Sequence, residues 1–126
     1  TRIGLIPDAG GTYLLPRQVG MPRAMGASLF AEPISARKAE SWGMIWEAVE
    51  DVNFNAHWQK RAKQLATGPT IAYQHVKEAL SASQNNTLEE QLLLEARLQG
   101  ACGKTRDFTE GVMAFLDKRP AEYEGR

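Results

Sequence analysis

The feature that most constrains this chain is the spacing of its apolar residues between Asn53 and Pro120. They recur every three or four positions with almost no strict alternation, which dictates helices rather than strands. Phe54, Trp58, Ala62 and Leu65 form one stripe, and Gly68-Pro69 ends it. Ala72, Val76, Ala79 and Leu80 form the next, followed by a polar break from Ser81 to Asn86. Thr87 and Glu90 have the spacing of a capping box, in which hydroxyl and carboxylate satisfy backbone N–H groups reciprocally. The helix they open carries Leu88, Leu92, Leu93, Leu94, Ala96 and Leu98 on more than one face, the pattern of a helix buried between layers or subunits. Thr105 suits the cap of a last helix with Phe108, Val112, Phe115 and Leu116 inward. Lys118 and Arg119 complement its C-terminal dipole, and Pro120 stops it.

The first fifty residues are more mixed. Ile3, Leu5 and Ile6 read as the end of a short strand that stops at Pro7-Asp8. Ala9-Gly10-Gly11 lets the backbone turn into a helix through Tyr13, Leu14, Leu15 and Val19, closed by Gly20. Pro22 suits the first position of a second helix. Ser35 is the expected N-cap of a third, with Ile34 and Ala39 as a staple and Gly43 as the stop. Met44-Ile45-Trp46 with Ala48-Val49 is the only other strand-like run. The expectation is six or seven helices and one or two short strands. Two strands do not make a stable sheet, and no initiator Met opens the chain. The sequence therefore reads as part of a larger fold whose preceding half supplies the rest of the sheet.

Composition excludes several classes of function. Fifteen basic residues balance fifteen acidic ones, so nothing in the charge calls for nucleic acid or an anionic membrane as partner. The apolar runs are too short to span a bilayer. The single cysteine, Cys102, fits a reducing, cytoplasmic setting and reads as a small packed residue rather than a nucleophile. His57, His75 and Cys102 stand at no recognised metal-ligand spacing, so no metal is expected. There is neither a Gly-x-Ser-x-Gly elbow nor a P-loop.

Asp8 is the candidate for chemistry. A carboxylate at a strand-to-helix junction lies where ligands bind in layered α/β folds, and proton transfer is within its repertoire. Read locally, the residues alone favour a turn residue after Pro7 or a helix cap over a catalytic group. Tyr13, one turn into the helix, either lines a pocket or is a partly buried structural aromatic. Arg17 and Arg23 could meet phosphate or carboxylate but read rather as surface residues or partners in ion pairs, and Trp42, Trp46 and Trp58 as core or interface anchors, with Trp46 also placed to line a pocket.

Three ordered blocks resemble the enoyl-CoA hydratase/isomerase (crotonase) family. The first is Gly4-Leu-Ile-Pro-Asp-Ala-Gly-Gly-Thr12 with Leu15-Pro-Arg17 and Val19-Gly20. The second is Ile34-Ser-Ala-Arg-Lys-Ala39 with Trp42-Gly-Met-Ile45. The third is Glu110-Gly-Val-Met-Ala-Phe-Leu-Asp-Lys-Arg119. The resemblance implies the C-terminal part of a crotonase-type α/β (ββα spiral) fold. Residues 1–68 would belong to the core and residues 69–126 to a helical oligomerisation region. It implies an acyl-CoA thioester as substrate, CoA being part of that substrate with no separate cofactor. As partners it implies the preceding half of the same fold and a homotrimer or dimer of trimers. Hydratases of the family usually carry Gly after Ile-Pro, whereas several isomerases carry an acid there. Asp8 is thus similar to the isomerase pattern, and most to the subfamily of ring-epoxide isomerases of phenylacetate breakdown. By the same resemblance Asp8 is the acid/base, the oxyanion hole lies before Thr1, and Phe115 and Lys118 reach the CoA of a neighbouring subunit. On the residues alone, Phe115 also reads as a core residue and Lys118 as a surface lysine favoured by the dipole. Two alternatives stay beside isomerisation: hydration of enoyl-CoA, and a catalytically inactive helical oligomerisation module.

Overall fold

The computed structural model describes residues 1–126. Seven helices follow one another: α1 (Gly11–Val19), α2 (Met21–Phe30), α3 (Ala36–Ser41), α4 (Asp51–Ala66), α5 (Thr70–Ala82), α6 (Leu88–Cys102) and α7 (Arg106–Leu116). They fall into two compact units, Thr1–Asn55 and Ala56–Arg126. In the first, α1 packs on α2. In the second, α5 packs on α6.

Local chemistry explains the helix ends. Ser35, Thr87 and Thr105 each accept a hydrogen bond from the N–H three residues on, and Glu90 closes the box at Thr87 by accepting from its N–H at 2.8 Å. Helix α3 stops in a Schellman turn. The N–H of Gly43 bonds to Glu40 O, that of Met44 bonds to Ala39 O (both 2.9 Å), and Gly43 takes φ +73. Pro22 is the second residue of α2 rather than its first. Pro16 stands inside α1, where it removes one ladder hydrogen bond. Thr105 also donates to Cys102 O at 2.7 Å, tying α6 to α7. Thr105→Ala is expected to cost about 1 kcal/mol of stability, read as a lower midpoint in urea with an unchanged slope.

The expected strands do not form. Residues 1–7 and 44–50 carry turns, bends and irregular backbone. Gly4 N–H folds back onto Thr1 O at 2.9 Å instead of joining a ladder. A strand is defined by a neighbour that pairs its N–H and C=O groups, and neither run has one.

Burial also departs from the sequence pattern. The buried apolar residues are Val19, Ala24 and Ala39 in the first unit and Leu98 and Ala114 in the second. Of the expected inward residues of α7, Phe115 is 82% exposed, and Phe108, Val112 and Leu116 are exposed as well. Leu88, Leu92 and Leu93 of α6, the α4 stripe and Trp46 likewise face outward, so Trp46 anchors no core within this chain. The periodicity places the right residues on one face, and within this chain that face is open. The accessible surface is 10149 Å². Two separate folded proteins of half this mass would together expose about 8,000 Å². Large apolar side chains such as Phe115, Trp46 and Leu88 stand exposed on this surface, and clustered apolar surface of that kind marks a face that another surface covers. Prepared alone, the 126-residue chain is expected to bind a hydrophobic dye and to elute above its monomer mass. A dye-silent monomer on light scattering would show that these faces need no cover.

Candidate functional site

Asp8 is fixed by a tight turn. Its carbonyl accepts the Gly11 N–H at 2.8 Å, and the two central residues, Ala9 (φ 49) and Gly10 (φ 85, ψ 2), are both left-handed. This is the pattern of a primed type I turn, which glycine tolerates best. The Gly10 carbonyl then receives the N–H groups of Tyr13 (3.0 Å) and Leu14 (2.9 Å) and opens α1. A Cβ at Gly11 would lie 3.3 Å from Pro7 Cβ, so a side chain there would require Pro7 to give by a few tenths of an ångström. Two distant bonds hold the surroundings. Thr1 Oγ1 donates to Ser28 O at 2.8 Å, and Gln18 Nε2 donates to Gly43 O at 2.7 Å.

The Asp8 carboxylate is exposed and takes no part in the turn or the cap. Gly10, not Asp8, is the N-cap, and no side chain caps α1. The turn half of the local reading holds and the capping half does not. Asp8 serves the turn through its backbone and leaves both carboxylate oxygens for another partner.

Tyr13 lies on the same helix, 48% exposed. The Arg17 guanidinium stacks 3.5 Å from its ring centroid and donates to its carbonyl at 2.9 Å. Arg17 thus lies at the surface, as one expectation had it, and engages an aromatic face rather than a carboxylate. Arg23 behaves alike. It donates to Trp42 O at 3.3 Å, while it and Lys38 flank the half-buried Trp42 ring at 5.7 and 5.0 Å.

In the second unit the C-terminal turn of α7 brings Phe115 and Lys118 together. Lys118 N–H bonds to Phe115 O at 3.3 Å and Arg119 N–H to Ala114 O at 3.0 Å, again a Schellman turn. Here the left-handed residue is Lys118, φ 55, where glycine is usual. That conformation costs a non-glycine residue about 1 kcal/mol. The Lys118 ammonium is exposed and has no partner.

Sequence reasoning missed the residues that hold this end. Arg119 clasps Glu110 through two parallel bonds, Nη1–Oε1 at 2.6 Å and Nη2–Oε2 at 2.9 Å, and Glu110 also accepts Glu122 N–H at 2.8 Å. The guanidinium and the Glu122 amide pull the Glu110 carboxyl down to about 2, and the same pair raises Arg119. The depressed carboxylate contributes stability above its ordinary value of 4.5 and loses it as pH falls through about 2. The clasp is therefore expected to persist from neutrality to below pH 4, visible as an unchanged Glu110 carboxyl resonance in an NMR titration. Asp107 is the other missed residue. Buried to 4% exposure, it accepts the N–H groups of Glu124 (2.7 Å) and Gly125 (2.9 Å), while its own N–H bonds to Arg126 O at 3.1 Å. Gly111 faces the returning tail: a Cβ there would stand in ordinary contact, 3.4 Å from the Tyr123 hydroxyl. The sequence signal for Asp107 was only an acid in the first helical turn.

Cys102 is half-buried and belongs to two adjoining apolar hollows. One, of about 390 Å³, is lined by Pro69, Ile71, Phe108, Val112, Phe115 and Tyr123 among others. His75 Nδ1 lies 3.5 Å from Glu78 Oε2, too far for a good hydrogen bond, and Glu78 pairs with Arg97 at 2.7 Å. No three His, Cys, Asp or Glu side chains gather in a way that holds a metal ion. No helix is long and apolar enough to cross a membrane.

The sequence profile described as Enoyl-CoA hydratase/isomerase matches residues 1–126. The chain is 60% identical over its whole length to a protein of Rhodobacter capsulatus named "Probable enoyl-CoA hydratase", of which it covers 49%. It is 44% identical, also over its whole length, to the 1,2-epoxyphenylacetyl-CoA isomerase of Escherichia coli K12, covering 48% of that enzyme. The crystal structure of a Mycobacterium abscessus protein described as "putative Enoyl-CoA hydratase/isomerase" superposes on 99% of the chain with a TM-score of 0.93 at 35% identity, using 48% of that structure. The chain thus spans about half the length of the curated relatives it matches.

Proposed function

The chain belongs to the enoyl-CoA hydratase/isomerase family, and on that premise we propose that the complete protein is a CoA-thioester isomerase in which Asp8 moves the proton. The observation that carries the reading is the Asp8 carboxylate itself, set on a rigid turn and left without an internal partner. In a double-bond shift it takes a proton from the carbon next to the thioester and returns it to the far end of the allylic system. Two backbone N–H groups from the preceding half of the fold hold the enolate oxygen meanwhile, stabilising charge only as it develops. Ring-epoxide isomerisation to an oxepin, in phenylacetate breakdown, is the finer form of the proposal. The E. coli isomerase relative supports it.

Tyr13, with Arg17 stacked on it, borders the acyl group. Phe115 packs on the adenine of CoA, and Lys118 meets a phosphate of a CoA held by a neighbouring subunit. Residues 1–68 belong to the core and residues 69–126 to the oligomerisation region of a homotrimer or dimer of trimers. The exposed leucines of α6 support that assignment. Cytoplasmic fatty-acid or aromatic-acid breakdown is the setting. The second reading is hydration of a 2-enoyl-CoA, which the R. capsulatus relative favours. Assaying the complete protein on crotonyl-CoA, a 3-enoyl-CoA and the ring epoxide separates the two. Isomerisation is expected to dominate, and dominant water addition to crotonyl-CoA would establish the hydratase instead.

A further inference from the structure

We propose that Glu110 and Arg119 are positioning residues for Lys118. Their ion pair holds the left-handed turn that presents the Lys118 ammonium to the phosphate-bearing end of a CoA thioester. The inference rests on the reading of Lys118 as a phosphate partner and adds to it how a strained residue is kept in place.

The geometry gives three reasons. Lys118 occupies a conformation that glycine would adopt without strain, so its neighbours must hold it there. Those neighbours are tied through a single guanidinium. Arg119 reaches back along α7 to clasp Glu110 with both amino groups, donates to Pro120 O at 3.1 Å, and brings Nε within 3.6 Å of Asp117 Oδ2. Asp117 and Arg119 flank Lys118, so both sides of the strained residue are anchored to one planar group. Finally, the ammonium at the centre of this network has no internal partner. Every other charge in the turn is paired, and the unpaired one is the one the turn holds out.

The fork matters as well as the charge. A lysine at position 119 would keep the charge but not the parallel bonds to Glu110. The side chains of the pair are partly exposed, 24% for Glu110 and 41% for Arg119, so substitutions there leave no buried orphan charge.

The test uses the complete protein and two substrates with the same acyl group: the CoA thioester and the pantetheine thioester, which lacks the nucleotide phosphates. Glu110→Gln and Arg119→Lys are each expected to raise KM for the CoA thioester about 3- to 10-fold, with kcat unchanged and KM for the pantetheine thioester unmoved. Lys118→Met is expected to raise the same KM about tenfold or more. Adding Glu110→Gln to Lys118→Met is expected to change nothing further, because the two act through one contact. If the pair variants lower Tm but leave KM alone while Lys118→Met raises it, the positioning role is wrong and the Lys118 reading stands. If Lys118→Met leaves KM unchanged, the reading beneath the proposal fails and the proposal with it. A rise in KM for both substrates alike would overturn the role assigned to the turn.

Discussion

Asp8→Asn in the complete protein is expected to lower the isomerisation rate by about 100- to 10,000-fold, the range over which a positioned acid–base group contributes. The substitution is a clean one. Asn has the same shape, and the turn needs only the backbone carbonyl of residue 8, which accepts the Gly11 N–H. No side-chain hydrogen bond is lost, since the carboxylate makes none within the chain and the cap of α1 is Gly10. Stability should therefore stay within about 0.5 kcal/mol of the parent, as for a surface change away from special features. KM should move little, because binding the thioester does not require the proton to move. The loss should fall on kcat, for isomerisation alone. Full isomerase activity in the variant would remove Asp8 from the chemistry. Water addition to crotonyl-CoA that persists at the parent rate, with no isomerisation in either protein, would place the enzyme among the hydratases.

The largest structural effect is expected at Asp107. Removing the buried carboxylate by Asp107→Ala leaves the N–H groups of Glu124 and Gly125, in part-buried bonds, without their acceptor. Each lost bond involves a charged acceptor, so a cost of about 2 to 4 kcal/mol is expected after partial relaxation. The effect should be local first. The amides of residues 124 and 125 should exchange with deuterium far faster, while those in the middle of α6 keep their protection. Asp107→Asn keeps one acceptor oxygen but turns an amide donor toward the second N–H, so it should recover only part of the loss. Unchanged exchange at residues 124 and 125 in the alanine variant would show that the tail is held without the Asp107 carboxylate, by the Asp107 N–H to Arg126 O bond and the Glu110 contacts.

These two residues stand at opposite ends of what the sequence reveals. Asp8 was legible because the elements around it are local: a Pro, two glycines and a helical stripe within a dozen residues. Its role could be narrowed only by seeing that Gly10 takes the cap. Asp107 was legible as an acid near a helix start and no more. Its partners lie 17 and 18 residues further on, and nothing in the intervening sequence states that the chain returns. The clasp between Glu110 and Arg119 belongs with it. Both residues sat inside a recognised block, but their pairing is a matter of which way two side chains turn on one helix.

Phe115 shows a different kind of gap. Its spacing with Val112 and Phe108 correctly marks an apolar face of α7, yet that face is open. Hydrophobic periodicity reports which side of a helix needs cover, and it is silent on what provides it. The same holds for the leucines of α6 and the stripe of α4.

The sequence by itself determined a chain of six or seven helices, of which the structure has seven, three of their side-chain caps and the glycine stop after α3. Each of these depends on hydrogen bonds and contacts between residues three to five positions apart. Tertiary structure decided everything that depends on residues far apart: that the two apolar runs stay unpaired, that Asp107 holds the tail, and that Lys118 is held in a glycine conformation. A helix satisfies its backbone from within, so its pattern is written in its own residues. A strand, a latch or a buried face is completed by groups elsewhere, and only the folded chain shows which groups those are.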